Sequence, residues 1–315
     1  MEATIAQNRT YHNLSSLDVP SFLMNVPFSY SAKEPDNIWM QELRDAERVI
    51  DRGKAIKQFL QLYQFLASQA FVQNLPTPKD CQLQDLVFVS NLGVVLEHLP
   101  AKNTVLIAHF KSPIRAGETE VGVNFFKGLG YDVHVPPYIF EGEAELKHVH
   151  ENVYIGGYGV RSDIRAYEWM EARFDMQIVK VRNANEYLYH LDGLVFPLTK
   201  EQALVCTALC AEEDLRAIER VTNIIDISGA DAYAGITNSV RVYRFILNSS
   251  HLLELKAGTE EYKQELKKNR HLEEIAAELA LDVSYFNLSE YFKGGAKLSC
   301  LVMHLNRKSY EIDLL

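Results

Sequence analysis

A cysteine near the end of the chain has the surroundings expected of a nucleophile. Cys300 closes the stretch Gly-Gly-Ala-Lys-Leu-Ser-Cys, which begins at the pair Gly294 and Gly295. The glycines allow the backbone to bend sharply just ahead of the thiol. Most lone cysteines are buried filler, so this motif is a weak indication by itself. A thiol also needs a neighbouring base or cation, because the thiolate is the nucleophilic form.

A histidine and carboxylates upstream could activate this thiol. His190 and Asp192 lie two positions apart in residues 187–198, a run that predicts a strand with both side chains on one face. Glu141 lies further upstream in an acidic Phe-Glu-Gly-Glu turn. A thiol, an imidazole and carboxylates suffice to attack a carbon that carries nitrogen leaving groups. From the local sequence alone, however, a solvated strand-edge pair is the better interpretation of His190 and Asp192.

The composition excludes some classes of protein. The chain has 315 residues, of which 47% are hydrophobic, and a net charge of −10. This charge argues against nucleic-acid binding, which needs a basic stripe, and is compatible with a cationic substrate. The four cysteines contain no Cys-x-x-Cys pair, which indicates free thiols in a reducing compartment. The N-terminal residues lack an apolar signal core and no apolar run is long enough to span a membrane. We therefore expect a cytoplasmic protein without a membrane partner.

Short β-branched runs alternate with helical patterns along the chain. The predicted strands are 86–90, 104–108, 132–135, 152–155, 176–181, 194–198, 203–206, 223–227 and 301–305. The predicted helices are 38–73, 118–129, 161–173, 211–220 and 260–279. These elements recur about every sixty residues, which hints at a repeated ββαβ unit. The pattern predicts an α/β domain but does not show how its units close up.

Several motifs occur together in one order. They are Phe22-Leu-Met-Asn-Val-Pro with Asn37-Ile-Trp-Met, the segment from Asp85 to Asn91 and Gly93, Arg115-Ala-Gly-Glu, Phe140-Glu-Gly-Glu, Gly157-Tyr-Gly-Val-Arg, Tyr189-His-Leu-Asp, Thr237-Asn-Ser-Val, and Gly294 to Cys300. From about residue 22 to residue 305 the chain thus resembles the guanidine-modifying (amidinotransferase or pentein) superfamily. It resembles most the arginine dihydrolases and dimethylarginine dimethylaminohydrolases.

The resemblance implies the pentein fold. This fold is a β/α-propeller of five ββαβ units around a pseudo-fivefold axis, with the active site at the central mouth. On this basis we expect residues 1–20 to be a polar N-terminal extension and residues 21–315 a single catalytic domain.

The resemblance also implies roles for individual residues. Cys300 is the expected nucleophile, His190 the acid and base, and Glu141 the carboxylate that orients the histidine, although Glu143 and Glu145 blur the alignment there. The expected substrate-binding residues are Asn37, Asp85, Asn91, Arg115, Arg161, Asp192 and Asn238. Among them, the two arginines match positions that grip the substrate α-carboxylate in relatives, a task suited to bidentate guanidinium groups.

Asn91 favours one reaction among those of the superfamily. Deiminases of the superfamily resemble this segment but carry an aspartate at that position. A neutral amide can hydrogen-bond a ureido group as well as a guanidinium, so it suits an enzyme that hydrolyses its urea-like first product again. Asn91 and Asn37 therefore point to an arginine dihydrolase that forms ornithine, ammonia and carbon dioxide through a covalent thiouronium intermediate. We expect Asp85 and Asn91 to share one face of a strand.

Other activities stay open at this stage. An arginine deiminase or a dimethylarginine dimethylaminohydrolase would give citrulline, and an amidinotransferase would use the same thiol. The pentein fold also serves as a non-catalytic binding module. Asn25-Val-Pro and Asp36-Asn37-Ile38 replace the Cys-Pro-Pro and Ile-Asn-Pro of close relatives, which bears on substrate choice. No metal or organic cofactor is implied, the expected partner is a small cationic guanidine, and a homo-oligomer is allowed.

Overall fold

The computed structural model describes residues 13–311, and within them five three-stranded sheets repeat one topology. The strands are β1 (Ser21–Asn25), β2 (Phe71–Leu75), β3 (Gly93–Val95), β4 (Thr104–Ile107), β5 (Asp132–His134), β6 (Leu146–His150), β7 (Val153–Gly159), β8 (Gln177–Asn183), β9 (Val195–Pro197), β10 (Gln202–Val205), β11 (Asn223–Asp226), β12 (Val240–Val242), β13 (Phe245–Ser249), β14 (Asp282–Phe286) and β15 (Met303–His304). The helices are α1 (Ile38–Glu42), α2 (Arg52–Gln69), α3 (Ala116–Gly128), α4 (Gly142–Glu145), α5 (Ile164–Phe174), α6 (Glu212–Glu219), α7 (Gly229–Ala234), α8 (Glu260–Glu278) and α9 (Ser289–Phe292).

Each sheet has the same three-strand arrangement. The orders are β15-β1-β2, β3-β4-β5, β6-β7-β8, β9-β10-β11 and β12-β13-β14. The first strand of each sheet runs antiparallel to the middle strand and the third runs parallel to it. A parallel pair needs a crossover, and α2, α3, α5, α6 and α8 provide it. The expected five ββαβ units are therefore confirmed.

The crossover helices pack one apolar side against their sheet, as α5 illustrates. Asp163 caps its first turn by accepting a hydrogen bond from the Arg165 backbone N–H. The helix buries Tyr167, Met170 and Phe174, which recur at helical spacing. It ends at Asp175 (φ 48°), where the backbone becomes left-handed. These packed helices hold the sheets, and the sheets in turn hold their first strands in place.

The two ends of the described chain meet in one sheet. β15 pairs with β1 through Phe22 opposite His304 and Leu23 opposite Met303. This pairing supplies the first strand of a unit whose other two strands lie at the beginning of the chain. It places the segment before β15, which carries Cys300, beside segments from the other units.

A turn precedes the first strand of every unit, and these turns form one face of the molecule. Short 3₁₀ helices occupy Leu298–Leu301 before β15, Val89–Asn91 before β3 and Leu191–Gly193 before β9. Helix α4 has the same place before β6, and a bend at 235–239 has it before β12. The turns before β15, β3, β6 and β9 pack against one another in sequence. This face is the candidate mouth.

Of two predicted strands, one forms a turn in the structure and the other is a strand only in part. A segment that is buried on all sides has the same apolar sequence pattern as a buried strand. Residues 86–90 form a turn and the start of the 3₁₀ helix Val89–Asn91, in which the Phe88 N–H bonds to the Asp85 carbonyl. Asp85 and Asn91 therefore do not share a strand face. The run 187–198 is a strand only from Val195, so His190 and Asp192 lie on a turn.

The predicted helix 38–73 is also wrong as one element. It contains α1, a connection, α2 and β2. α1 ends at Leu43, and the Arg48 side chain donates to the carbonyls of Met40 and Leu43 to hold the connection. Asp51 then begins α2 by accepting from the Lys54 N–H. The continuous apolar periodicity across both helices conceals this break.

Part of the expected N-terminal extension is packed on the domain. Residues 1–12 lie outside the described residues, but Ser15 is buried and its hydroxyl lies 2.6 Å from the Tyr131 hydroxyl. Asn306 donates to the carbonyls of Leu17 and Val19. The domain boundary at residue 20 stays a prediction. Within residues 13–311, no helix has the length and apolar character needed to cross a membrane.

The close approach of β3 to β4 predicts a sensitive glycine. A Cβ at Gly93 would lie 2.5 Å from the Leu106 carbonyl oxygen. Gly93→Ala should therefore lower the free energy of unfolding by about 2 kcal/mol, measured by urea denaturation. The matched control is Gly128→Ala at the end of α3, where an added Cβ meets nothing within 4 Å and little loss is expected. Equal effects of the two substitutions would contradict this account of the β3–β4 contact.

Candidate active site

The thiol of Cys300 lies in the turn before β15, held beside two polar partners. Cys300 is 7% exposed, and its Sγ lies 3.9 Å from Asp192 Oδ2 and 3.8 Å from Asn238 Nδ2. Ser299 fixes both partners. Its hydroxyl donates to Asp192 Oδ2 at 2.6 Å, and its backbone N–H donates to Asn238 Oδ1 at 2.9 Å. The thiol, the carboxylate and the amide therefore form one rigid group.

The surroundings of Cys300 keep its thiol protonated at neutral pH. Burial raises its pKa to about 12, and the negative charge of Asp192 acts in the same direction. A backbone hydrogen bond at Lys297 and the side chain of Asn238 oppose this rise, and the charge of Lys147, a buried lysine of β6, opposes it less. A cation bound between the thiol and Asp192 would neutralise the carboxylate and favour the thiolate. The geometry is therefore suited to a nucleophile that a cationic ligand activates.

His190 and Glu141 form a buried pair. Glu141 Oε2 accepts from His190 Nε2–H at 2.8 Å, and Glu141 Oε1 accepts from the Lys111 N–H at 3.2 Å. Burial alone would raise the pKa of Glu141, but the hydrogen bond from His190 and the charge of Arg161 lower it to about 2. The ionised carboxylate thus fixes the imidazole. His190 Nδ1 faces the other way, 3.5 Å from Asn91 Nδ2.

Asn91 is oriented by an arginine whose own charge is already compensated. Arg115 Nε and one terminal nitrogen donate to the two carboxylate oxygens of Glu118 at 2.9 and 2.8 Å. Its other terminal nitrogen donates to Asn91 Oδ1 at 3.0 Å, and the guanidinium stacks on Phe110. This contact turns Asn91 Nδ2 toward His190. The structure places Arg115 under the turn of Asn91 and not beside Arg161.

Asp85 has an unpaired oxygen close to this group. Burial raises its pKa to about 7, against the lowering effect of Arg115. Its Oδ1 is buried and has no hydrogen-bond partner within residues 13–311. An unsatisfied buried carboxylate oxygen is costly, and a cationic substrate group would satisfy it.

Two cavities meet at Tyr189. One, of about 50 Å³, lies beside Cys300 and is lined by His190, Asp192 and Asn238. The other, of about 440 Å³, is open and is lined by Asn37 and Arg161, among others. Tyr189 borders both, and its hydroxyl donates to the Gly295 carbonyl at 3.1 Å. The ring thus stands between the open cavity and the thiol.

Asn37 joins the wall of the open cavity to the glycine pair before Cys300. Its Oδ1 caps α1 by accepting from the Met40 N–H, and its Nδ2 donates to the Gly294 carbonyl at 3.0 Å. Gly295 has φ 75°, and a Cβ there would lie 2.7 Å from Asn37 Oδ1. The second glycine is therefore needed both for its backbone angle and for this close contact.

Sequence reasoning missed three residues of the site. Ser299 and Tyr189 immediately precede Cys300 and His190, so adjacency was the available signal. Lys147 gave no such signal, because its strand, Leu-Lys-His-Val-His, mixes polar and apolar residues. None of the three belongs to a metal site. No group of three or more His, Cys, Asp or Glu side chains among residues 13–311 could hold a metal ion.

The comparisons with known proteins agree with the motifs. No family model matches the chain. It is 28% identical over 290 residues to the bifunctional arginine dihydrolase/ornithine cyclodeaminase AgrE of Nostoc. The aligned region covers 90% of this chain and 37% of AgrE. It is 26% identical to the N(G),N(G)-dimethylarginine dimethylaminohydrolase of Mycobacterium tuberculosis, covering 70% of this chain and 69% of the enzyme. The chain therefore spans less than two fifths of AgrE.

The solved structures show the same fold. A complex of a cysteine-to-alanine variant of AgrE with L-arginine superimposes with a TM-score of 0.77 and 26% identity, over 92% of this chain and 40% of that one. Unliganded AgrE gives a TM-score of 0.76 at 27% identity, with 91% of this chain and 39% of that one covered. The resemblance to the guanidine-modifying enzymes and the pentein fold, both expected from the motifs, are confirmed.

The contact between Asp192 and the thiol predicts an effect on labelling. Asp192→Asn should speed the alkylation of Cys300 by iodoacetamide about three- to tenfold near neutral pH, because removing the carboxylate charge lowers the pKa of the thiol. Peptide mapping by mass spectrometry follows each cysteine, with Cys81 as the internal control. An unchanged rate at Cys300 would mean that burial alone controls the thiol.

Proposed function

We propose that this protein, a relative of the guanidine-modifying enzymes, is a cysteine-dependent arginine dihydrolase. It would convert L-arginine and two waters into ornithine, two ammonia and carbon dioxide. One observation carries the proposal. Each of the five units contributes polar groups to one mouth, namely Cys300, Asn91, Glu141, His190 with Asp192, and Asn238, at the turns before the first strands. That convergence assembles a nucleophile, a proton carrier and a cation site at one place.

The first half of the reaction uses the charges around the thiol. The substrate guanidinium lies against Asp192, and Asp85 offers a further carboxylate oxygen. The cation favours the Cys300 thiolate, and the thiol proton passes to His190, which lines the same cavity. The thiolate attacks the guanidinium carbon and forms a C–S bond. His190 gives a proton to one amino group of the tetrahedral adduct, and ammonia leaves as the C–N bond breaks. Glu141 stabilises the imidazolium during this exchange.

The second half regenerates the thiolate. His190, now neutral, takes a proton from water as the water attacks the thiouronium carbon. The C–S bond then breaks, and a citrulline-like ureido product remains in the site. The same thiolate attacks the ureido carbon in a second round and releases the second ammonia. A second water hydrolyses the thioester-like adduct to a carbamate, which loses carbon dioxide to give ornithine.

The neutral state of Asn91 supports the second round. Its oxygen is held by Arg115, and its amino group faces His190. An amide at this position adds no negative charge, so it does not require a positive charge on the substrate carbon. The ureido intermediate can therefore stay in place. AgrE is a bifunctional arginine dihydrolase, and one of its solved structures is a complex with L-arginine. Both facts agree with this proposal.

Product analysis tests the proposed reaction directly. Incubation with L-arginine should release two ammonia per ornithine with little citrulline, and Cys300→Ala should abolish ammonia release, because no other thiol lines the cavity. Ammonia, citrulline and ornithine are quantified from the same reaction. Citrulline with one ammonia would identify a deiminase-type enzyme instead. Full ammonia release by Cys300→Ala would refute the covalent route.

Replacing Asn91 tests the second round separately. Asn91→Asp retains an acceptor for Arg115 but removes the amino group that faces His190 and adds a negative charge. We expect the ratio of citrulline to ornithine to rise about tenfold or more, because the ureido intermediate is bound less well. The ratio is measured at equal arginine consumption. Unchanged formation of ornithine would show that Asn91 does not decide between one round and two.

A further inference from the structure

Arg161 is the buried guanidinium at the wall of the open cavity, and it is already paired. One of its terminal nitrogens lies 3.1 Å from Asp36 Oδ2, and the other donates to the Asp36 backbone carbonyl at 2.7 Å. The two side chains are only 9% and 10% exposed. Glu141 lies 3.6 Å behind the guanidinium, and the Tyr189 ring packs 4.8 Å from its carbon. The pair is therefore ordered and largely shielded from solvent.

Few other cations in this region can receive a carboxylate. Each guanidinium nitrogen of Arg115 already donates to Glu118 or Asn91, and Arg115 does not line the cavity. Lys111 lines the cavity but is exposed, and its ammonium donates to the Val160 carbonyl. Among residues 13–311, Arg161 is therefore the one guanidinium lining this cavity with which an entering carboxylate can make a bidentate, shielded contact. The Asp36 carboxylate occupies one of the two terminal nitrogens that such a contact uses.

We infer that Asp36 is a built-in competitor for the carboxylate of the substrate. An amino-acid guanidine binds by exchanging its α-carboxylate for the Asp36 carboxylate on Arg161. This inference rests on the proposed function and adds a specificity-determining residue to it. L-Arginine must break the ion pair between Asp36 and Arg161 to bind, and this lowers its affinity. A guanidine without a carboxylate binds without breaking the pair, so its affinity is not lowered in this way.

The segment that carries Asp36 also borders the catalytic cavity. The cavity beside Cys300, of about 50 Å³, is lined by Trp39 as well as by the side chains around the thiol. Trp39, three residues after Asp36, is one wall of this cavity, and its indole N–H donates to the Tyr187 carbonyl at 2.8 Å. The ion pair and one wall of the catalytic cavity therefore belong to the same segment.

Binding measurements on matched variants test the exchange. Asp36→Asn removes the competing charge but keeps the backbone carbonyl that accepts from Arg161. L-Arginine and its decarboxylated analogue agmatine are titrated by calorimetry in the Cys300→Ala background, so that turnover does not interfere. We expect the Kd for L-arginine to fall about three- to tenfold, with a much smaller change for agmatine. Asp36→Ser serves as a second variant with the same expectation.

Glu186→Gln is the matched control. Glu186 is an exposed acid of the same cavity, and it makes no ion pair with Arg161. Its substitution measures the general effect on Kd of removing one negative charge from the cavity. That removal weakens the binding of agmatine, which carries two positive charges. The Asp36 variants must lower the Kd for L-arginine by more than Glu186→Gln does. Tighter binding of both ligands to the same degree would overturn the competitor role.

The remaining outcomes separate this inference from the proposed function. Weaker binding of L-arginine to Asp36→Asn would mean that Asp36 recognises the α-ammonium group, and would overturn the inference. Failure of L-arginine to bind any of the proteins would overturn it as well. If L-arginine shows the expected shift in Kd but the intact protein releases no ammonia from it, the exchange stands and the proposed dihydrolase activity falls.

Discussion

Burial of charge is the constraint on which the structure of the mouth depends. Removing a carboxylate or a guanidinium from water is expensive, so each one needs an opposite charge or several hydrogen bonds. Glu141 meets this need with His190 and Arg161, and Glu118 meets it with Arg115. These pairs hold their side chains in single positions. The positions of the imidazole and of Asn91 therefore follow from charge compensation beneath them.

Two groups whose ionised forms are poorly compensated lie where a substrate would act. Burial and Asp192 raise the pKa of Cys300 to about 12, and burial raises that of Asp85 to about 7. In both cases a nearby positive charge would restore the ionised form. In the proposed reaction, a guanidinium between these groups supplies that charge at the atom that the thiol attacks. Substrate binding and activation of the nucleophile are then one electrostatic event.

The sequence allowed the chemistry to be predicted better than the geometry. The order of the motifs led to the five-unit fold, and Cys300, His190, Asp192 and Asn238 line one cavity. Their backbone settings were predicted less well, since an apolar run buried on all sides looks like a strand whether or not it pairs. The ion pair between Asp36 and Arg161 joins residues 125 positions apart, and no local pattern signals such a contact.

Charge compensation also explains why an amide at position 91 suits the proposed hydrolysis in two rounds. Arg115 is already neutralised by Glu118, so a carboxylate at position 91 would add an uncompensated negative charge to a buried group. Burial is the main cause that raises the pKa of Asp85, and the negative charges of Glu118 and Asp36 already add to it. A guanidinium could offset the addition, but a neutral ureido group could not. In the proposed reaction, Asn91 keeps the buried group balanced before and after the first ammonia leaves, so no charge imbalance drives the ureido intermediate out.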